Sequence, residues 1–299
     1  MTQSWKSQHE RSTPFALKSI RWIALHLGRP TARGLLYPIT LYFLLFAPAQ
    51  RKASRNYLKR VLNREPSWLD LGRHIFYFAS TILDRVYLMT GQFNRLAIQF
   101  PDENIPLRYA QQGFGSILLG SHVGSYEVLR SYAVNKCPLP IKILMYEQHN
   151  PMIAEVLNAL NPALSSMMIP LNSVDSMLKV KDAVEQGIAV GLLGDRVLEN
   201  RPRKKVRCRI LGGEVDLPSA PILIAASLKV PIIVFFGLYR GGNRYELRFE
   251  VLAEKIELDQ SRRQQDLQQW MQKYADILER TIKSAPYNWF NFYDYWQEE

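Results

Sequence analysis

Four short apolar runs, at residues 116–120, 141–146, 188–193 and 231–238, alternate along the chain with stretches of helical apolar spacing at 126–135, 151–160, 174–186 and 218–228. A short run that is apolar throughout suits a strand buried on both faces. A helix between two such strands supplies the crossover and covers the sheet. The alternation therefore predicts an α/β fold, a mixed, largely parallel sheet flanked by helices. Ahead of it, residues 67–91 read as one long helix, with Leu71, Ile75, Phe78, Ile82, Val86 and Met89 at three- and four-residue steps. Behind it, residues 245–251 alternate polar and apolar as an edge strand would, after a hairpin turn at Gly241-Gly242-Asn243. Residues 261–284 form an amphipathic helix, and 286–296 form an aromatic tail for which core packing is favoured over an interfacial belt.

The N-terminal part is of another kind. Residues 34–50 are uncharged but fall short of the roughly 20 apolar residues of a spanning helix, and they contain Pro38 and Pro48. Cations stand on both sides, Arg21, Arg29 and Arg33 before and Arg51, Lys52, Arg55, Lys59 and Arg60 after. A single crossing shows its positive charge on one side. Two basic flanks suit a segment that dips into one leaflet, its cations on lipid phosphates. A buried core helix pair is the next reading and a single-pass span the third. The chain thus divides into a basic, apolar membrane-associating helical segment, 1–66, and a catalytic domain, 67–299, in a length that suits one large domain.

A net charge of +11 favours a polyanionic partner. Six cations fall within residues 201–209, which read as a solvated face or as a rim facing lipid headgroups or an acidic carrier. No nucleic-acid motif or interleaved stacking aromatics accompany them, so nucleic acid is not expected as a partner. Cys137 and Cys208 lie far apart without metal-ligand spacing and read as free thiols in a reducing compartment. The polar stretch 1–14 does not have the order of a secretory signal.

The stretch Ser116-Ile-Leu-Leu-Gly-Ser-His122-Val-Gly-Ser-Tyr-Glu127-Val-Leu-Arg130 concentrates the chemistry. A buried strand ends at Gly120 and a helix begins near Ser125, so His122 falls at a strand's carboxyl end, where open α/β sheets bind ligands. On one continuous helix, residues five apart point away from each other. His122 and Glu127 can meet only if the histidine lies in the turn, for which Gly120 and Gly124 supply freedom. So placed, Glu127 accepts from one imidazole nitrogen while the other takes a proton from an attacking hydroxyl or amine. Spacing alone leaves a second reading open, in which Glu127 complements a helix N-terminus and His122 is a turn residue.

The segment Ser121 to Glu127 resembles the H-x4-D/E motif of the glycerolipid acyltransferase superfamily, and the chain around it resembles the late lipid A acyltransferases (lauroyl and myristoyl transferases) and relatives that acylate other bacterial lipids. Residues 51–63 are similar to the helix that follows that family's apolar segment. Leu144-Met-Tyr146-Glu-Gln-His149-Asn150-Pro151 resembles its strand-to-tyrosine block, and 187–196, ending Gly194-Asp195-Arg196, its third block. Leu217-Pro218-Ser-Ala-Pro221 and Lys229-Val-Pro231 resemble the acyl-site lining. The resemblance implies catalysis by His122 and Glu127, and substrate binding by Asp195, Arg196, Tyr146 and Asn150. Arg196 would hold a phosphate or an oxyanion, while Asp195 also reads as half of a structural ion pair at a strand end. Glu147 stands where many relatives carry arginine, and the glutamate-glycine-threonine-arginine block of the glycerolipid branch is missing.

The same resemblance implies an acyl-carrier protein or acyl-CoA donor, no metal or other cofactor, a lipid acceptor, and an anionic membrane surface at the cytoplasmic face of an inner membrane. Two rivals remain at this point, an esterase or thioesterase using the same pair and a non-catalytic membrane adaptor.

Overall fold

A computed structural model describes residues 22–135, 140–145, 167–171, 175–197 and 205–296. Among the described residues, a helical stretch at 22–26 is followed by α1 (Gly28–Phe46), α2 (Pro48–Leu62) and α3 (Trp68–Met89). Ala47 separates α1 from α2, which meet at 94°. Pro48 begins α2, where its missing N–H costs no helical bond. Arg51 reaches back to donate to the Leu44 and Leu45 carbonyls that the break leaves open. A capping box starts α3: Ser67 accepts from the Asp70 N–H, and Asp70 accepts from the Ser67 N–H.

Among the described residues the main sheet has seven strands in the order β1-β9-β8-β2-β5-β3-β4. They are β1 (Ala97–Gln99), β2 (Ile117–Gly120), β3 (Ile141–Met145), β4 (Met168–Pro170), β5 (Ala189–Leu193), β8 (Ile232–Tyr239) and β9 (Arg244–Ala253). Every neighbouring pair is parallel except β8 with β9. Four further helices lie between strands or follow them: α4 (Asn104–Gln111), α5 (Val128–Asn135), α6 (Ser176–Glu185) and α7 (Ala220–Leu228). The last, α8 (Arg263–Ser284), precedes the aromatic tail. A separate hairpin pairs β6 (Lys205–Ile210) with β7 (Gly213–Pro218). All of β2 and β8 is buried, as the apolar runs require of strands covered on both faces.

The expected α/β architecture is observed, with two differences. Residues 245–251 belong to β9, which is not at the edge, because three-residue β1 pairs outside it. The basic run continues into hairpin β6–β7, where Val206, Cys208 and Ile210 face inward and the cations between them face out. The helix expected at 151–160 lies outside the described residues. The tail packs into the core, with Trp289, Phe290, Tyr295 and Trp296 buried. Burying one tryptophan side chain, about 200 Å², contributes roughly 5 kcal/mol.

The N-terminal helices are only half inside. On α1, Ala32, Leu36 and Thr40 are buried, and α2 sends Tyr57 and Leu58 into the main core. Tyr37, Leu41, Tyr42, Leu45 and Phe46 are exposed, as are Trp68 and Leu69 at the start of α3. Among the described residues no single helix is long and apolar enough to cross a membrane, whereas α1 and α2 together pass by length and composition.

Candidate active site

Two neighbouring parallel strands deliver the central residues. Gly120 ends β2 opposite Leu193 at the end of β5, and the Gly194 N–H donates to Gly120 O at 3.0 Å. Both chains therefore leave the sheet at one level and on one side, His122 from β2 and Asp195 from β5.

The turn after β2 is too tight for any side chain at Gly124. Its φ is +75°, and a Cβ there would stand 2.1 Å from Gly237 O. Gly237 on β8 is equally crowded, 2.0 Å from Ser125 O. The Ser125 N–H donates to Gly237 O at 2.8 Å, and α5 begins three residues later.

Asp195 is fully buried, and its carboxylate is spoken for. Oδ1 lies 2.8 Å from His122 Nδ1, Oδ2 accepts the His122 main-chain N–H at 3.0 Å, and Trp289 Nε1–H donates to Oδ2 at 3.2 Å. Burial pulls this carboxyl upward, but His122, Arg196 and the donated hydrogen bonds bring it down to about 2. A carboxylate accepts only, so His122 carries its proton on Nδ1 and presents a bare Nε2 lone pair. Burial lowers the imidazole pKa despite the pull of Asp195, and Arg196 and Arg85 press it further down. The ring nevertheless keeps 25 % of its surface open. The His122 ring is thus held in one orientation, disfavours the charged form and stays open to solvent on one side.

Glu127 is elsewhere. It is buried, accepts from Ser125 Oγ at 2.8 Å, and sets Oε1 2.5 Å from Nε of Arg85 on α3. Those two atoms miss hydrogen-bond alignment, so the contact is one of charge. The hydrogen bond to His122 that spacing assigned to Glu127 is made by Asp195. The cause is the tight turn at Gly124, which sends the chain towards α3 before the glutamate, while the register of β2 on β5 sets Asp195 beside the ring. Arg85 also lies 5.3 Å from the centre of the Tyr126 ring.

Arg196, expected to bind substrate, holds the tail. Nε donates to Asn291 Oδ1 and Nη2 to Phe290 O, both at 2.9 Å, and the guanidinium lies 5.6 Å over the Tyr293 ring. Tyr146 and Asn150 lie outside the described residues. On β6, Lys205 and Arg207 meet Asp216 and Glu214 of β7 across the hairpin, which offsets part of the basic patch. Among the described residues no three His, Cys, Asp or Glu side chains converge as metal ligands would.

Three participants escaped the sequence reading: Trp289, Arg85 and His74. His74 accepts from Ser54 Oγ at 2.7 Å through Nδ1 and donates through Nε2 to Trp289 O at 2.9 Å. Its place inside an apolar helical stripe was the only available signal.

The family model of bacterial lipid A biosynthesis acyltransferases matches residues 3–298, nearly the whole chain. Comparison with individual curated proteins gives no match.

Proposed function

The chain belongs to the bacterial lipid A biosynthesis acyltransferase family, and from that premise we propose how it transfers acyl groups on lipids. The donor is a fatty acyl thioester of acyl-carrier protein or coenzyme A, and the acceptor is a hydroxyl or amine of a lipid. His122 Nε2 takes the acceptor's proton as its oxygen or nitrogen attacks the thioester carbonyl. The tetrahedral intermediate then collapses, the C–S bond breaks, and the imidazolium returns the proton to the leaving thiolate. Asp195 holds the tautomer and offsets the imidazolium charge, the part that a triad carboxylate plays. The observation that carries this reading is the 2.8 Å contact of Asp195 Oδ1 with His122 Nδ1, which leaves Nε2 free to act. Glu127 enters one step removed, by fixing the Arg85 cation whose charge is felt at His122.

Membrane contact belongs to the same proposal, at the cytoplasmic face of an inner membrane. Exposed Leu45, Phe46, Trp68 and Leu69 surround the bend, and Arg51 stacks 5.5 Å over the Trp68 ring. Exposed Lys52 and half-buried Arg55 follow on α2, suited to anionic headgroups at about 1 kcal/mol per cation.

Lipid extracts from cells carrying the wild type and His122→Ala test the reaction. A species that gains one acyl chain only with the wild type supports transfer, and identical extracts overturn it. A hydrolase using the same pair would instead release free fatty acid without acceptor at a rate comparable to transfer.

A further inference from the structure

The carboxylate of Asp195 has its orientation fixed by a residue from the aromatic tail. Without other contacts, such a group can turn about its Cβ–Cγ bond and offer either oxygen to an imidazole. Here Oδ2 receives two N–H donors, the His122 main chain at 3.0 Å and the Trp289 indole at 3.2 Å. Oδ1 is thereby left to Nδ1 of His122 alone, at 2.8 Å.

Trp289 is itself fixed with unusual completeness. Its ring is 1 % exposed and meets Tyr57, Tyr295 and Trp296 edge to face, with centroids 5.5, 4.5 and 5.9 Å away. Its carbonyl accepts from Nε2 of His74. The main chain on either side is stitched to the histidine turn: Gly124 N–H donates to Asn288 O at 2.7 Å, and Phe290 N–H to His122 O at 3.1 Å. The indole is therefore referenced to the same backbone as the base it serves. Tyr57, Tyr295 and Trp296 meet the ring through its faces and edges, whereas the N–H is directed at Asp195.

We propose that Trp289 is a positioning residue for acyl transfer, setting the orientation of the Asp195 carboxylate and, through it, the tautomer and aim of His122. The inference rests on the reading of His122 and Asp195 as base and orienting acid. Its chemical content is confined to one N–H. Removing that donor leaves Oδ2 held by the His122 main-chain N–H alone, which loosens the carboxylate and leaves more of its negative charge for the imidazolium.

The test replaces Trp289 in the full-length protein with β-(3-benzothienyl)alanine, whose sulfur takes the place of the N–H at nearly the same volume. Trp289→Phe serves as a second variant. Trp296→Phe is the control, since Trp296 packs on the same ring but donates to Ile210 O rather than to Asp195. Thioester consumption in the presence of acceptor is followed from pH 5 to 9, with thermal unfolding to verify folding. Expected for the sulfur isostere is a kcat lower by about 10- to 100-fold, an unchanged KM for donor, and an acid limb moved to higher pH. The Trp296→Phe control keeps the wild-type limb. A wild-type kcat and pH profile in the isostere overturns the proposal, and so does the same limb shift in Trp296→Phe. Asp195→Asn separates the two readings. If it is inactive while the isostere is normal, only the role of Trp289 falls, whereas an active Asp195→Asn removes the base-and-acid reading itself.

Discussion

Asp195 Oδ2 accepts the main-chain N–H of His122 at 3.0 Å while Oδ1 meets that residue's imidazole at 2.8 Å. One carboxylate thus fixes both the backbone and the ring of the same histidine. Asp195→Asn keeps the shape but turns half of the acceptor into a donor, which opposes either the main-chain N–H or the Nδ1 proton. We expect kcat to fall by about 10³-fold or more, with the fold retained. Thioester turnover with purified variant measures this, and a loss of less than tenfold would contradict the assignment.

The pH profile follows from the same pair. Burial holds the His122 pKa below its ordinary 6.5. Activity requires the neutral ring, so the rate rises with pH through a midpoint under 6.5 and levels off above it. A limb centred above 7 would be incompatible with this environment.

Arg85 and Glu127 make a prediction about stability. The pair is largely withdrawn from water, although the arginine side chain keeps 27 % of its surface. Removing one partner of a fully buried pair costs about 3–5 kcal/mol, so Glu127→Leu or Arg85→Met should cost about 2 kcal/mol here. Arg85→Met combined with Glu127→Leu should recover much of that loss. Urea midpoints decide, and simple additivity of the two losses would rule out the coupling.

His74 links stability to pH. Burial lowers its pKa from 6.5 to about 4, partly opposed by the hydrogen bond to Trp289 O. The folded state therefore disfavours the proton that the unfolded chain accepts. The contribution is complete above pH 6.5 and is lost as pH falls from 6.5 towards 4, on the order of 3 kcal/mol in all. His74→Asn should flatten the decline of unfolding free energy between pH 7 and 5. An unchanged slope in that variant would remove the assignment.

Membrane attachment is tested at the bend. Phe46→Asp with Leu69→Asp should sharply reduce sedimentation with anionic vesicles while leaving the urea midpoint nearly unchanged, since both side chains are exposed, Leu69 at 85 %. Binding equal to wild type would place the contact elsewhere.

Much of the fold was legible because its signals are local. The apolar runs at 116–120, 188–193 and 231–238 became β2, β5 and β8, and the stripe from Leu71 to Met89 became α3. Position in the sheet was not legible. The alternation in 245–251 reported one polar face, but the pairing with Ala97–Gln99 depends on a strand nearly 150 residues earlier. The site divides likewise. His122 stands out from its strand-turn-helix setting, and Glu127 follows from the five-residue spacing and the resemblance to the H-x4-D/E motif. The acid that touches the ring lies 73 residues away, and only the juxtaposition of β2 and β5 brings it there. Asp195 enters through the resemblance to the family's third block, as a substrate-binding residue, and its partner cannot be read from spacing.

That juxtaposition also says where the gene tolerates editing. Base and acid are spaced by a hydrogen-bonded ladder in which Gly120 faces Leu193, so the length of the chain joining the two strands does not enter their separation. Residues inserted in the loops of that connection, outside β3 and β4, should leave the pair intact. One residue added between Val190 and Asp195 would displace the carboxylate by about 3.3 Å, a full ladder step, and disconnect it from the histidine. Related chains should accordingly vary freely in the length of the connecting loops and hardly at all in the count of residues from strand to acid.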